Sequence, residues 1–247
     1  MPEINPWMTC FKAQPQAKLR LFCFPYAGAG ASVFRTWATQ LPETIEVYAI
    51  QLPGRETRLR EPLFTDLVPL VEALTPVLLP HFDRPFAFYG HSLGALISFS
   101  LSLQLRRSGQ PLPQHLLVAS RRAPQIPTQS PIHALPDPEF ALALQRYDGT
   151  PEAVLQNAEL MEIFLPILRA DLMIHERYQH ADEPPLDCPI SAFGGVQDQE
   201  VSHPELAAWE FQTASSFKLR QFPGGHLFLK QEGAALLTAI VEDLSLD

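Results

Sequence analysis

The chain alternates short runs that are apolar on both parities with longer stretches that repeat at helical spacing. Leu19 to Phe24, Ile45 to Leu52, Phe86 to Tyr89, Leu116 to Ser120, Pro189 to Phe193 and Phe217 to Phe222 read as strands. Apolar residues on both parities mark strands covered on both faces. Val33 to Leu41 reads as a helix with Ser32 as its N-cap. Leu93 to Arg107 is apolar nearly all round, as a buried helix should be. Leu237, Ile240, Val241 and Leu244 form an i, i+3, i+4, i+7 stripe on a last helix. Alternation of this kind predicts an open, mostly parallel α/β sheet.

The alternation fails between Ala123 and Glu183, where no strand is legible. Ala123 to Pro138 is a proline-rich connection. Glu139 to Tyr147 and Glu152 to His180 read as helices, and Pro166 should kink or split the second. Residues 1–247 are expected to form one domain, with 123–183 inserted as a helical lid. α/β sheets bind ligands at the C-terminal ends of their strands, and a lid belongs there; the alternative is that these helices merely thicken the core.

Composition narrows the class. With 247 residues and 46% hydrophobic content, the chain can bury a large core. A formal net charge of −9 argues against nucleic acid, because phosphate binding needs a basic field. Met1 to Gln16 lacks the charged start and apolar run of a signal peptide. No segment approaches the roughly 20 apolar residues of a transmembrane helix. Cys10, Cys23 and Cys188 have no metal-like spacing, so a cytoplasmic protein with reduced thiols and no metal is expected. Cys23 and Cys188 lie in apolar runs and read as core residues.

The chemistry centres on Gly90-His91-Ser92-Leu93-Gly94, directly after the strand at 86–89 and directly before the buried helix. That is the setting of a nucleophile elbow, in which a serine on a strained turn stands above the sheet. A serine hydroxyl needs a base, and the base needs an orienting acid. His226, in Pro223-Gly224-Gly225-His226 after the last strand, is the candidate base, with His203 as its rival. Asp198 follows the strand at 189–193 and is the candidate acid. Glu200 is second choice, and Asp187 lies at the wrong end of that strand. An oxyanion would be held by the Leu93 N–H and by a second N–H from Pro25-Tyr26-Ala27-Gly28-Ala29-Gly30, with Ala27 preferred to Tyr26.

These pieces resemble the type II thioesterases, the stand-alone editing enzymes of nonribosomal peptide and polyketide synthesis. The resemblance rests on Phe24-Pro25-Tyr26-Ala27-Gly28-Ala29-Gly30, Gln51-Leu52-Pro53-Gly54-Arg55-Glu56 and Tyr89-Gly90-His91-Ser92-Leu93-Gly94-Ala95. It continues in Ser120-Arg121-Arg122-Ala123-Pro124, Leu165-Pro166-Ile167-Leu168-Arg169-Ala170-Asp171 and Phe222-Pro223-Gly224-Gly225-His226. It departs where Gly28-Ala29-Gly30 replaces consecutive glycines. The resemblance implies an α/β-hydrolase fold with a helical lid and a triad at Ser92, Asp198 and His226. It also implies a substrate acyl group thioesterified to the phosphopantetheine arm of an acyl or peptidyl carrier protein, and no cofactor. The competing readings are a small-ester esterase or lipase, a chain-releasing cyclase, and a non-catalytic binding module. A monomer is expected. Carrier proteins are typically acidic, so Arg55, Arg58, Arg60, Arg121 and Arg122 are docking candidates, with structural ion pairs as the alternative role.

Overall fold

The computed structural model describes residues 5–144 and 158–245. Among the described residues seven strands form one sheet: β1 (Met8–Thr9), β2 (Leu19–Phe24), β3 (Ile45–Ile50), β4 (Phe86–His91), β5 (Leu116–Ala119), β6 (Ile190–Gly195) and β7 (Phe217–Phe222), in the order β1-β3-β2-β4-β5-β6-β7. Only β1 runs antiparallel; it pairs with β3. The other pairings are parallel, with Phe22 opposite Phe88 and Val118 opposite Ala192. From β2 the chain steps outward to β3 and then returns to the other side of β2 as β4. This reversal of strand order opens a crevice beyond the C-terminal ends of β2 and β4.

Both faces of the central sheet are covered, as the sequence pattern predicts. Phe22, Phe24 and Phe88 pack towards α2 (Leu67–Leu78) and α3 (Leu93–Arg107). Leu21, Cys23 and Tyr89, on the opposite parity, pack with residues of α1 (Trp37–Gln40) and α7 (Gly233–Leu244). Cys23 and Cys188 are buried free thiols. β7 departs from the expectation: most of it is partly exposed, as suits a strand at the sheet's edge. No helix among the described residues is long and apolar enough to cross a membrane.

Three further elements differ from the sequence reading. The predicted helix at 33–41 is instead a 3-10 turn, Ala31–Phe34, followed by the four-residue α1. Ser32 is not an N-cap, because its hydroxyl donates to Glu56 Oε1 at 2.5 Å. Helix α2 has no counterpart in the sequence reading, although Leu67, Leu70, Val71, Leu74 and Leu78 are its buried face. Asp66 caps it by accepting from the Val68 N–H at 2.9 Å. β1 is likewise unanticipated, being only two residues long.

Between β5 and β6 the described residues form α4 (Asp137–Ala143) and α5 (Ala158–Arg177), with no strand among them. The predicted helices at 139–147 and 152–180 fall in part on residues 145–157, outside the described residues. Helix α5 runs through Pro166 unsplit. Phe140 and Leu144 pack against Leu168 and Leu172 in a small separate core. Arg169 ties the pair together: it donates to the Leu135 carbonyl at 2.8 Å and to Asp137 Oδ1 at 2.6 Å, and its guanidinium lies 4.2 Å from the centre of the Phe140 ring. A short α6 (His203–Ala207) follows β6.

Candidate active site

Ser92 lies between β4 and α3 with φ 53° and ψ −109°. A residue with a side chain rarely adopts that backbone, and such strain concentrates at functional sites. The turn tolerates only glycine on either side of it. A Cβ on Gly90 would strike the backbone of Gly94 and Ala95, and one on Gly94 would strike the carbonyls of Phe24 and Pro25. The Ser92 N–H donates to the Ala119 carbonyl at 2.8 Å, which pins the elbow to β5.

The three residues chosen from chain order converge. Ser92 Oγ lies 2.9 Å from His226 Nε2. His226 Nδ1 lies 3.0 Å from Asp198 Oδ2 and 3.2 Å from Oδ1. With Nδ1–H donating to the carboxylate, Nε2 is left to accept from the serine hydroxyl. Asp198 Oδ1 also accepts from the Glu200 and Val201 N–H groups at 2.9 and 3.2 Å. Burial pushes the Asp198 carboxyl up, but its hydrogen bond to His226 and those two backbone donors bring it below the ordinary carboxylate range. The rival groups lie elsewhere. His203 is exposed and bonds Gln221 at 2.8 Å, and Glu200 meets Asp198 through its backbone.

The loop bearing His226 is held by contacts the sequence reading missed. Its carbonyl accepts from Ser120 Oγ at 2.7 Å and from His91 Nε2 at 2.8 Å. Burial pushes His91 down to about 3, so its ring is neutral. With Nε2–H donating, Nδ1 accepts from the Tyr89 hydroxyl at 3.3 Å. The signal was in view as the variable position of the elbow and the first residue of Ser120-Arg121-Arg122, but no periodicity reveals a contact 106 residues away. Ser120→Ala is expected to lower kcat about three- to tenfold with KM little changed, since one of two bonds of about 1 kcal/mol is lost. Steady-state kinetics would check it.

The Leu93 and Ala27 N–H groups bond no acceptor among the described residues. Ser92, Ala27 and His226 line a cavity of about 550 Å³ whose walls are mainly apolar, including Phe164, Ile167 and Leu168 of α5. A second cavity of about 260 Å³ shares only His226 with it and is polar, lined by Arg121, Arg122, His175 and Glu205 among others.

The docking arginines require correction. Arg55, Arg58 and Arg121 are buried, because each guanidinium is committed inside the protein. Arg55 pairs with Asp171 at 2.5 and 2.9 Å. Arg58 pairs with Glu61 and lies 3.9 Å from the centre of the Trp7 ring. Arg121 contacts the His175 ring at 2.6 Å. Arg122 is half-buried and donates to the Glu200 carbonyl at 2.6 Å, and only Arg60 is exposed. These arginines thus follow the structural alternative, Arg60 excepted.

A mostly parallel sheet with a serine elbow after its fourth strand, at the reversal of strand order, defines the α/β-hydrolase class. The model of the thioesterase domain family matches residues 19–245, and the chain belongs to that family. It is accordingly a serine hydrolase acting on thioesters, of the type II kind found with nonribosomal peptide and polyketide pathways. The gramicidin S biosynthesis protein GrsT of Aneurinibacillus migulanus is 44% identical over 245 residues, covering 99% of this chain and 96% of its own. Among solved structures, the RedJ thioesterase from the prodiginine pathway of Streptomyces coelicolor matches with a TM-score of 0.87 and 38% identity, over 92% of this chain and 91% of its own. The type II thioesterase BorB from the borrelidin biosynthetic cluster gives a TM-score of 0.87 and 36% identity, over 98% and 99%.

Proposed function

We propose that Ser92, His226 and Asp198 form the catalytic triad and that the substrate is an acyl group carried as a thioester on the phosphopantetheine arm of a carrier protein. The observation that carries this reading is the continuous Ser92–His226–Asp198 hydrogen-bond chain at the wall of a largely apolar cavity. His226 Nε2 takes the Ser92 proton as Oγ attacks the thioester carbonyl. The Leu93 and Ala27 N–H groups stabilise the oxyanion. The C–S bond breaks, and the pantetheine thiol leaves with the proton from His226. Water, deprotonated by His226, then cleaves the acyl-enzyme to the free acid and regenerates Ser92. A thiol of pKa about 8.5 leaves readily, so the acid step asks little of the imidazolium.

The two cavities suit the two halves of this substrate. The apolar one would receive the acyl chain, and the polar one beyond His226 suits the amide-bearing arm. In this reading the described helices of the 123–183 insertion, α4 and α5, serve as a lid, since Leu144, Phe164 and Leu168 line the acyl cavity. Release of stalled or misprimed acyl groups would restore the carrier thiol. The partner is the carrier domain itself, with the exposed Arg60 as a docking contact.

A panel of acyl groups on one carrier protein, run beside a matched oxyester, tests the assignment. Free acid should form from the carrier thioester, and its turnover should clearly exceed that of the oxyester. Equal or faster oxyester cleavage, or a macrocyclic product, would refute it.

A further inference from the structure

Asp171 is 1% exposed and sits on α5, yet its carboxylate serves a loop on the far side of the sequence. Oδ2 accepts from the Gly28 N–H at 2.7 Å and from Arg55 Nη1 at 2.5 Å, while Oδ1 accepts from Arg55 Nη2 at 2.9 Å. Arg55 is itself 4% exposed and is steadied by its Nε–H, which donates to the Pro53 carbonyl at 3.2 Å. The same turn grips the loop a second time. Gln51 Oε1 accepts from the Ala31 N–H at 2.9 Å, and Gln51 Nε2 donates to the Arg55 carbonyl at 3.0 Å.

A buried ion pair is a poor device for stability alone, because desolvating both charges offsets most of their attraction. What this pair fixes is a peptide plane. The Gly28 N–H and the Ala27 carbonyl belong to one rigid unit, so holding that N–H sets ψ of Ala27. With ψ set, the direction of the Ala27 N–H is constrained from its C-terminal side. Gly28 has φ +78°, and a side chain there would approach Leu168 Cδ2 to 2.6 Å, so α5 leans directly on the loop. Leu168 also lines the acyl cavity. One helix therefore touches both the space for the acyl chain and the anchor of the loop.

We propose that Asp171, oriented by Arg55, is a positioning residue that ties helix α5 to the oxyanion loop and so sets the Ala27 N–H for the transition state. This rests on the reading of Ala27 as an oxyanion donor. The pair joins the Leu-Pro-Gly-Arg-Glu and Leu-Arg-Ala-Asp segments, 116 residues apart at Arg55 and Asp171, in one hydrogen-bonded unit. The loss should fall on kcat, since an oxyanion contact strengthens only as charge develops on the carbonyl oxygen.

Two variants test it. Asp171→Asn keeps the size but puts an NH₂ where one carboxylate oxygen accepts from Gly28 or Arg55, so one donor faces another. The double variant Arg55→Met with Asp171→Leu removes both charges together, which avoids an unpaired buried ion. The readouts are kcat and KM on a thioester, the rate of labelling by a fluorophosphonate, and Tm. Labelling needs the nucleophile and oxyanion loop but no carrier protein, so it separates failure of this proposal from failure of the substrate assignment. The double variant should lose about tenfold or more in both kcat and labelling rate, with KM within a few-fold and a cooperative melt. Asp171→Asn should lose less, in the same pattern. If the folded double variant keeps wild-type kcat and labelling, or if the loss is confined to KM, the proposal fails. Should the double variant not fold, Asp171→Asn decides alone, and unchanged kcat and labelling overturn the proposal.

Discussion

Ser92→Ala should lower thioester hydrolysis by about 10⁴-fold or more while the protein still folds. Removing Oγ deletes the atom that would form the acyl-enzyme. Ser120 Oγ is committed to the His226 carbonyl. The backbone contacts that hold the elbow, including the Ser92 N–H to Ala119, do not involve the side chain. The variant should therefore melt as the wild type does and should not label with a fluorophosphonate. Hydrolysis near the wild-type rate would mean that water is activated without a covalent step.

Asp198→Asn should cost about 10³- to 10⁴-fold in kcat, by analogy with the same change in a serine-protease triad. The cause is the tautomer. An amide NH₂ facing His226 Nδ1 favours the form with the proton on Nε2, which then opposes the Ser92 hydroxyl proton instead of accepting it. The substitution also has a pH signature. The folded carboxyl titrates below its unfolded value of about 3.9, so its contribution to stability is complete above that pH and fades as pH falls below it. Acid unfolding followed by circular dichroism should thus be shallower below about pH 4 in Asp198→Asn than in the wild type. An unchanged kcat would remove Asp198 from the triad.

The central sheet and the site were legible for different physical reasons. β2, β4 and β5 are buried on both faces, so their apolar runs stand out, and α3 is reproduced to its end residues, Leu93 and Arg107. The elbow was legible because steric crowding permits only glycine at 90 and 94, which writes the geometry into the sequence. Helix α2 was not, since Pro69 and Pro76 punctuate a pattern whose apolar positions are otherwise regular. The 31–34 turn was misread because Ser32 is a capping residue type whose hydroxyl is taken by Glu56. The arginines were misread because charge in a sequence does not reveal its partner. Arg55 and Asp171 neutralise one another across 116 positions, and only the fold brings them together.

The most direct test of the account is to trap the intermediate. The enzyme would be mixed with an acyl-phosphopantetheine carrier protein, quenched in acid within the turnover time, digested and mapped by mass spectrometry. The account predicts the acyl mass on Ser92 and the free acid as the released product. Free acid formed with the acyl group on another residue, or with no adduct at any time point during turnover, would contradict it.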